Sequence, residues 1–191
     1  MCLYTKRRKT KPMIVPLKKK NNENCALITG AAGLLGEEHA VALLEIQKNV
    51  ILTDINLKKL ETLKIKLKKK FSTNKIYLHK MDVTKEKSII NTWNYFKKKK
   101  IVIDVLINNA AIDPKFKNNN NKARDTRFEY FSSKKWEKEF AVGLTGSLLC
   151  SKIFGKELTK KKINGIILNI ASDLSVIAPN QNIYKNNGVK N

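Results

Sequence analysis

The sequence predicts a single α/β domain with a doubly wound parallel sheet in the strand order 3-2-1-4-5. The first observation is that, from Asn24 onward, apolar runs of strand length alternate with segments of helical period. The second is a glycine-rich segment, residues 29–36, between the first strand and the first helix. The third is the last predicted strand, which is apolar on both faces, as is typical of strands covered by helices on both sides.

The elements follow one another in a regular order. Strands are predicted at residues 25–29, 49–53, 75–79, 101–107 and 163–171. Helices are predicted between them, and the polar, Asn-rich segment 113–133 is predicted to be a surface loop. Helical spacing predicts that the first helix buries Leu35, His39, Leu43 and Ile46. It also predicts that the long last helix buries Trp136, Phe140, Leu144 and Leu148, with Leu149, Ile153 and Phe154 widening its apolar face.

The composition is strongly basic. The 191 residues include 39 Lys and Arg against 16 Asp and Glu, a net charge of +23, which raises the hypothesis of a nucleic-acid partner. However, the chain has 35 Lys and only four Arg, and the guanidinium fork of Arg is what phosphate and base recognition favours. Lys and Asn share A-rich codons and occur here in runs. The excess is therefore interpreted as coding bias on tolerant surfaces, and no nucleic-acid partner is expected.

The N-terminal segment and the cysteines do not indicate a catalytic function. Residues 1–22 are predicted to be a disordered basic arm, and residues 23–191 an incomplete nucleotide-binding domain. No apolar run approaches the roughly 18 residues of a membrane span, so a cytoplasmic protein is expected, with an organellar transit peptide as the alternative reading of the arm. The three cysteines and two histidines show no metal-ligand spacing, and no metal site is predicted.

The glycine-rich segment carries the clearest chemistry. Gly30, Gly33 and Gly36 are spaced by three, directly after a strand and before a helix. Such a turn lets a pyrophosphate approach the backbone amides at the helix N-terminus. The alternative is a sharp strand-to-helix turn without a ligand.

Two acidic residues stand at the ends of later strands. Asp54 ends the second strand, 18 residues after Gly36, where a carboxylate can bind the adenosine ribose and repel a 2′-phosphate. This favours NAD over NADP, and the alternative is that Asp54 caps the next helix. Asp82 and Val83 follow the third strand and could meet the adenine, although an ordinary strand-end Asp is nearly as good an explanation.

Two further segments complete a family pattern. Asn108-Asn109-Ala110-Ala111 closes strand four and Asn169-Ile170-Ala171-Ser172 closes strand five; with the glycine segment they resemble the short-chain dehydrogenase/reductase family. The resemblance implies a Rossmann-type NAD(P)-dependent oxidoreductase that moves a hydride between nicotinamide and an alcohol or carbonyl carbon. It also implies that Ser172 holds the substrate oxygen. The implied cofactor contacts are Thr29, Gly30, Gly33, Leu34, Leu35, Gly36, Asp54, Asp82, Val83, Asn109, Ala110 and Ala111.

The sequence departs from the family pattern in three ways. The glycine spacing is that of nucleotide-sugar members, which leans weakly towards a sugar-like substrate. Gly143 stands where many relatives have an Asn that organises a proton-relay water. No Tyr-x-x-x-Lys follows Ser172: Tyr184 has Gly188 at the fourth position and is interpreted as a loop residue. We therefore expect that C-terminal strands are missing and that this chain is inactive.

Two other classes of function stay open. The chain could be a catalytically inactive nucleotide-binding or regulatory module, or a basic protein that binds polyanions. Under the main interpretation the partner is a small alcohol or carbonyl compound, and intact relatives are expected to form homo-oligomers.

Overall fold

The fold is known from a computed structural model, which describes residues 24–112 and 132–172. The predictions for the basic arm and for Tyr184 lie outside the described residues, as does nearly all of the predicted loop at 113–133. The remaining predictions concern residues whose positions are described.

Five parallel strands form one sheet in the order β3-β2-β1-β4-β5, which confirms the predicted Rossmann-type topology. The strands are β1 (Cys25–Thr29), β2 (Asn49–Asp54), β3 (Ile76–Lys80), β4 (Ile103–Asn108) and β5 (Ile166–Asn169). The first three lie within one residue of their predicted limits, whereas β4 and β5 are shorter than predicted.

Helices cover both faces of the sheet. They are α1 (Leu34–Glu45), α2 (Leu57–Lys70), α3 (Glu86–Lys98), α4 (Ser133–Phe140) and α5 (Gly146–Lys161), with a π-helical turn (Ala141–Thr145) joining the last two. The sheet separates two hydrophobic cores, and successive residues of a strand pack into different ones. Ile28 and Leu52 pack with the side chains of α1 and α2, while Leu27 and Ile51 pack with those of α3 and α5. The sheet is therefore doubly wound, as predicted.

The buried face of α1 differs from the prediction. Leu35 and Ile46 are more than half exposed, and the buried residues are Gly36, Ala40 and Leu44. The first turn of α1 lies so close to the glycine segment that only small residues fit between them. Leu35, in this first turn, is consequently turned away from the sheet, whereas Leu44 at the far end of the helix is buried and Leu43 packs partly against the core.

The predicted apolar face of the long helix is wrong in its first part, whereas Phe154 is buried and Leu149 and Ile153 pack partly against the core, as predicted. Trp136, Phe140, Leu144 and Leu148 are 41–65 % exposed, and the face that packs on the sheet carries Gly146, Cys150 and Phe154. The apolar residues of β5 are exposed as well, since no described element covers either face of this strand. The π-helical turn adds one residue and so separates the face of α4 from that of α5.

One ion pair joins the amino ends of three strands. Lys48 Nζ, just before β2, lies 2.6 Å from Oδ1 and 2.8 Å from Oδ2 of Asp104 in β4. Asn24, just before β1, donates to Asp104 Oδ2 at 3.1 Å. Lys48 is only 8 % exposed, so its ammonium depends on this carboxylate for compensation.

Replacing Asp104 by alanine is expected to lower the free energy of unfolding by about 3 kcal/mol, because the buried ammonium of Lys48 is left unpaired. Chemical denaturation measures this change. Lys70→Ala is the matched control: Lys70 and Glu45 form an ion pair at 3.2 Å whose side chains are more than half exposed, and its loss should cost about 0–1 kcal/mol. Equal losses in the two variants would contradict the assignment.

Candidate nucleotide-binding and active site

The glycine segment is shaped by contacts that only glycine permits. Gly30 has φ +61°, and a Cβ on it would lie 2.7 Å from Ala110 Cα. A Cβ on Gly36 would lie 2.5 Å from the Gly30 carbonyl oxygen and 2.6 Å from Ala31 Cα. The turn therefore brings the N-terminus of α1 directly against β1 and the end of β4. These contacts explain Gly30 and Gly36 even without a ligand.

Thr29 and Asn109 connect this turn to the end of β4. Thr29 Oγ1 accepts hydrogen bonds from the amides of Asn109 and Ala110, both at 3.0 Å, and donates to the Ile107 carbonyl at 3.3 Å. In return, Asn109 Nδ2 donates to the carbonyls of Thr29 at 3.0 Å and Gly30 at 3.2 Å. The side-chain amide nitrogen of Asn109 thus stabilises the glycine turn through these two hydrogen bonds.

Asp54 contacts the glycine segment across the sheet edge. Its Oδ2 accepts from the Ala32 amide at 3.2 Å, and its Oδ1 accepts from the Asn56 amide at 2.9 Å. The alternative that Asp54 caps the next helix is wrong, because the N-cap of α2 is Asn56, whose side chain accepts from the Lys59 amide at 3.1 Å. The carboxylate therefore lies beside the glycine turn, where a ribose would follow a bound pyrophosphate.

The turn after β3 is ordered by its own side chains. Asp82 Oδ1 accepts from the Thr84 hydroxyl at 2.6 Å and from the Thr84 amide at 3.0 Å, and the Asp82 amide donates to Ser88 Oγ at 3.0 Å. The Thr84 hydroxyl hydrogen bond holds the pKa of Asp82 below its usual value, against the opposing effect of partial burial. Asp82 is therefore ionised at neutral pH, and Val83 beside it is buried.

Asn108 joins β4, β5 and α5. Its Nδ2 lies 2.9 Å from Ser151 Oγ, 2.8 Å from Asn169 Oδ1 and 3.4 Å from the Ser147 carbonyl. The pairing of β4 with β5 extends one residue further, since the Ile170 amide donates to the Asn108 carbonyl at 3.0 Å. Ser172 follows two residues later and is exposed at this edge. The motif Asn108 to Ala111 was recognised in sequence, but this junction was not.

Gly143 lies in the middle of the π-helical turn. A Cβ on this residue would meet nothing within 4 Å, and its carbonyl accepts from Ser147 Oγ at 2.7 Å. There is thus space for a side chain at this position, and this chain places none in it.

Two tyrosines upstream of Ser172 do have a lysine four residues later. Tyr130 precedes Lys134 at this spacing, but it lies outside the described residues. Tyr95 and Lys99 lie at the end of α3, with Lys99 Nζ 4.8 Å from the centre of the Tyr95 ring. The Tyr95 ring contacts His79 of β3, the strand at the opposite edge of the sheet from β5. Tyr95 is therefore not a partner for Ser172.

The described cysteines take no part in the site. Burial raises the pKa of the Cys25 and Cys150 thiols to about 12, so neither is a nucleophile at neutral pH. Within residues 24–112 and 132–172, no three His, Cys, Asp or Glu side chains come together as a metal site. In the same ranges, no helix is both long enough and apolar enough to cross a membrane.

The predicted site residues therefore gather at the carboxyl edge of the sheet, where a parallel α/β fold binds its ligands. The glycine turn and Asp82 follow β1 and β3, and Asp54, Asn108 and Asn169 are the last residues of β2, β4 and β5. This combination defines a dinucleotide-binding α/β domain.

Comparison with known proteins places the domain in a family. Residues 24–185 match the sequence profile for short chain dehydrogenases, and the chain belongs to the short-chain dehydrogenase/reductase family. It is 33 % identical over 147 residues to a short chain dehydrogenase/reductase of Gibberella zeae, covering 76 % of this chain and 50 % of that protein. It is 30 % identical over 161 residues to an NAD-dependent glycerol dehydrogenase of Listeria innocua, covering 84 % and 57 %.

A solved structure agrees with this assignment. The NAD⁺-bound structure of a xylitol dehydrogenase superimposes with a TM-score of 0.69 at 26 % identity, covering 84 % of this chain and 57 % of that one. The chain spans about half the length of the curated relatives it matches.

Thr29→Val keeps the side-chain volume but removes the acceptor for two amides. The free energy of unfolding should fall by about 1–3 kcal/mol, because the Asn109 and Ala110 amides lose their partner beside a residue that is 1 % exposed. Thermal or urea unfolding tests this. Thr62→Val is the control, since the Thr62 hydroxyl bonds only to the exposed Lys58 carbonyl of its own helix. A loss no greater than that of the control would show that the connection is dispensable.

Proposed function

We propose that this chain is the nucleotide-binding part of an NAD-dependent short-chain oxidoreductase acting on a secondary alcohol or the corresponding ketone. The observation that supports this most strongly is the glycine turn built against β4, with the Asp54 carboxylate 3.2 Å from the turn amide of Ala32. The glycerol dehydrogenase and xylitol dehydrogenase to which the chain is similar both act on polyols, as their names state. A sugar-like or polyol substrate is accordingly the first to test.

The residues present fit a dinucleotide. Gly36 lets the first turn of α1 pack against the backbone of Gly30 and Ala31, which places the helix N-terminus at the carboxyl edge of the sheet. A pyrophosphate would there meet the helix amides and the positive end of the helix dipole. Leu34 and Leu35 at the same terminus are 84 % and 55 % exposed and offer an apolar wall. Asp54 would hold the ribose hydroxyls, and the Asp82–Val83 turn would border the adenine.

The edge of the sheet also supplies one group for the substrate. When bound, nicotinamide accepts or donates the hydride. Ser172, after β5, would hold the substrate oxygen through its hydroxyl. A serine hydroxyl is not a base at neutral pH, so removal of the alcohol proton needs another group with a pKa close to neutrality. Tyr184, which follows Ser172 in the sequence, lacks the lysine that would acidify its phenol.

Cofactor preference tests the role of Asp54. Wild-type protein should bind NAD about tenfold or more tightly than NADP, because a carboxylate near the 2′-phosphate repels it by roughly 1–4 kcal/mol. Asp54→Asn removes the charge while keeping an oxygen acceptor, and it should reduce the ratio. Isothermal titration with both nucleotides measures the two affinities.

Glu61→Gln on the exposed side of α2 is the matched control for the loss of one negative charge. Tighter binding of NADP than NAD by the wild type would refute the role given to Asp54.

The 191-residue chain is expected to bind NAD without measurable turnover. General acid-base catalysis contributes roughly 10²–10⁴-fold. Within residues 24–112 and 132–172 the one Tyr-x-x-x-Lys, at Tyr95 and Lys99, lies at the opposite edge of the sheet from Ser172. NADH formation with a panel of polyols and secondary alcohols checks this, alongside NAD binding by the same preparation. Turnover that disappears in Tyr184→Phe would show that Tyr184 is the acid-base residue. Binding without turnover is also the result expected of a catalytically inactive regulatory module, the second candidate.

A further inference from the structure

Gly146, the first residue of α5, packs directly on Val83. A Cβ on Gly146 would lie 2.8 Å from Val83 Cγ2, 3.0 Å from its Cβ and 3.3 Å from its carbonyl oxygen. Because the Cβ and the carbonyl are also close, rotation of the Val83 side chain cannot clear the space. Any larger residue at position 146 must therefore displace either the helix or the backbone of Val83.

The helix is the less movable of the two. Five residues after Gly146, Ser151 Oγ lies 2.9 Å from Asn108 Nδ2, and this hydrogen bond links α5 to the end of β4. Cys150 and Phe154, on the same face as Gly146, are 3 % and 1 % exposed in the core. A clash at position 146 is consequently relieved by movement of Val83, which lies in a turn between β3 and α3.

The other side of this turn is held by α3. The Asp82 amide donates to Ser88 Oγ at 3.0 Å, and Ser88 lies in the first turn of α3. The hydrogen bonds from Thr84 to Asp82 close the turn on itself. The Asp82–Val83 turn is thus held between two helices. The Asp82 amide donates a hydrogen bond to α3, and Val83 packs closely against α5.

We propose that Gly146 and Ser88 are positioning residues that set the place of the Asp82–Val83 turn, and so the affinity for the adenine part of the cofactor. This inference rests on the proposed function, since it assumes that the turn borders the adenine. Neither residue touches the nucleotide itself. Gly146 acts by the absence of a side chain and Ser88 by accepting one amide hydrogen bond.

The experiment measures the affinity of ADP by isothermal titration, together with the thermal midpoint of each variant. Gly146→Ala should weaken ADP binding by about tenfold. Gly155→Ala is the matched control on the same helix, because a Cβ there meets nothing within 4 Å, and it should leave ADP affinity within about twofold of wild type. The double variant Gly146→Ala/Val83→Ala should recover part of the affinity, since the closest clashing atom is removed.

Ser88→Ala provides a second, independent variant, because it releases the Asp82 amide without adding volume. It should weaken ADP binding severalfold while the protein stays folded, and it remains informative if Gly146→Ala does not fold. An unchanged ADP affinity in Ser88→Ala, or in a folded Gly146→Ala, overturns the inference but leaves the proposed function intact. A lower thermal midpoint with unchanged ADP affinity likewise overturns it, since the role would then be structural alone. Failure of the wild type to bind ADP or NAD overturns both proposals.

Discussion

The close approach of the glycine turn to the end of β4 is the constraint on which the rest of the site depends. Gly30 lies against Ala110 with no room for a Cβ, and Thr29 and Asn109 exchange hydrogen bonds through buried groups at the same place. Since β1 is the central strand, this contact fixes where α1 begins relative to the sheet. The position of the helix N-terminus, where we propose that a pyrophosphate binds, is therefore set by backbone proximity rather than by any charged side chain.

The N-terminal turn of α5 has a comparable role on the other side of the site. Gly146 packs on the turn after β3, and Asn108 links Ser151 with Asn169. The first turns of α5 thus contact the turn after β3 and the end of β4 directly, and they are linked to the end of β5 through the Asn108 side chain. The π-helical turn directly before it, with its open position at Gly143, marks the point where the helix changes its exposed face. Departures from regular helix of this kind are frequent at functional sites.

Several of the lysines lie in the last turns of helices, and this position explains part of their distribution. Lys68–Lys70 end α2, Lys97 and Lys98 end α3, and Lys160 and Lys161 end α5. In a βαβ fold these ends lie at the amino edge of the sheet, opposite the candidate site, and cations there interact favourably with the negative end of the helix dipole. Such an interaction gives these lysines a stabilising role at the helix ends.

The sequence by itself determined the topology and the place of most site residues. Apolar runs, a glycine-rich turn and polar residues directly after strands are local signals, and in a parallel sheet every strand end falls at one edge. The particular partners were not predictable: that Asn109 supports the glycine turn, that Asp54 contacts Ala32, or that Asn108 joins α5 to β5. Each of these contacts joins residues more than 20 positions apart.

Only the tertiary structure decided which face of each helix is buried. In α1 and α5 the spacing of the largest apolar residues was misleading in part, since Leu35 and Leu148 are exposed. The closest contacts with the sheet are made by Gly36 with Ala40 and by Gly146 with Cys150. Hydrophobic periodicity measures how much apolar surface a face carries. How closely a helix approaches the strands is set by the smallest residue at the contact, and that distance exists only once the chain has folded.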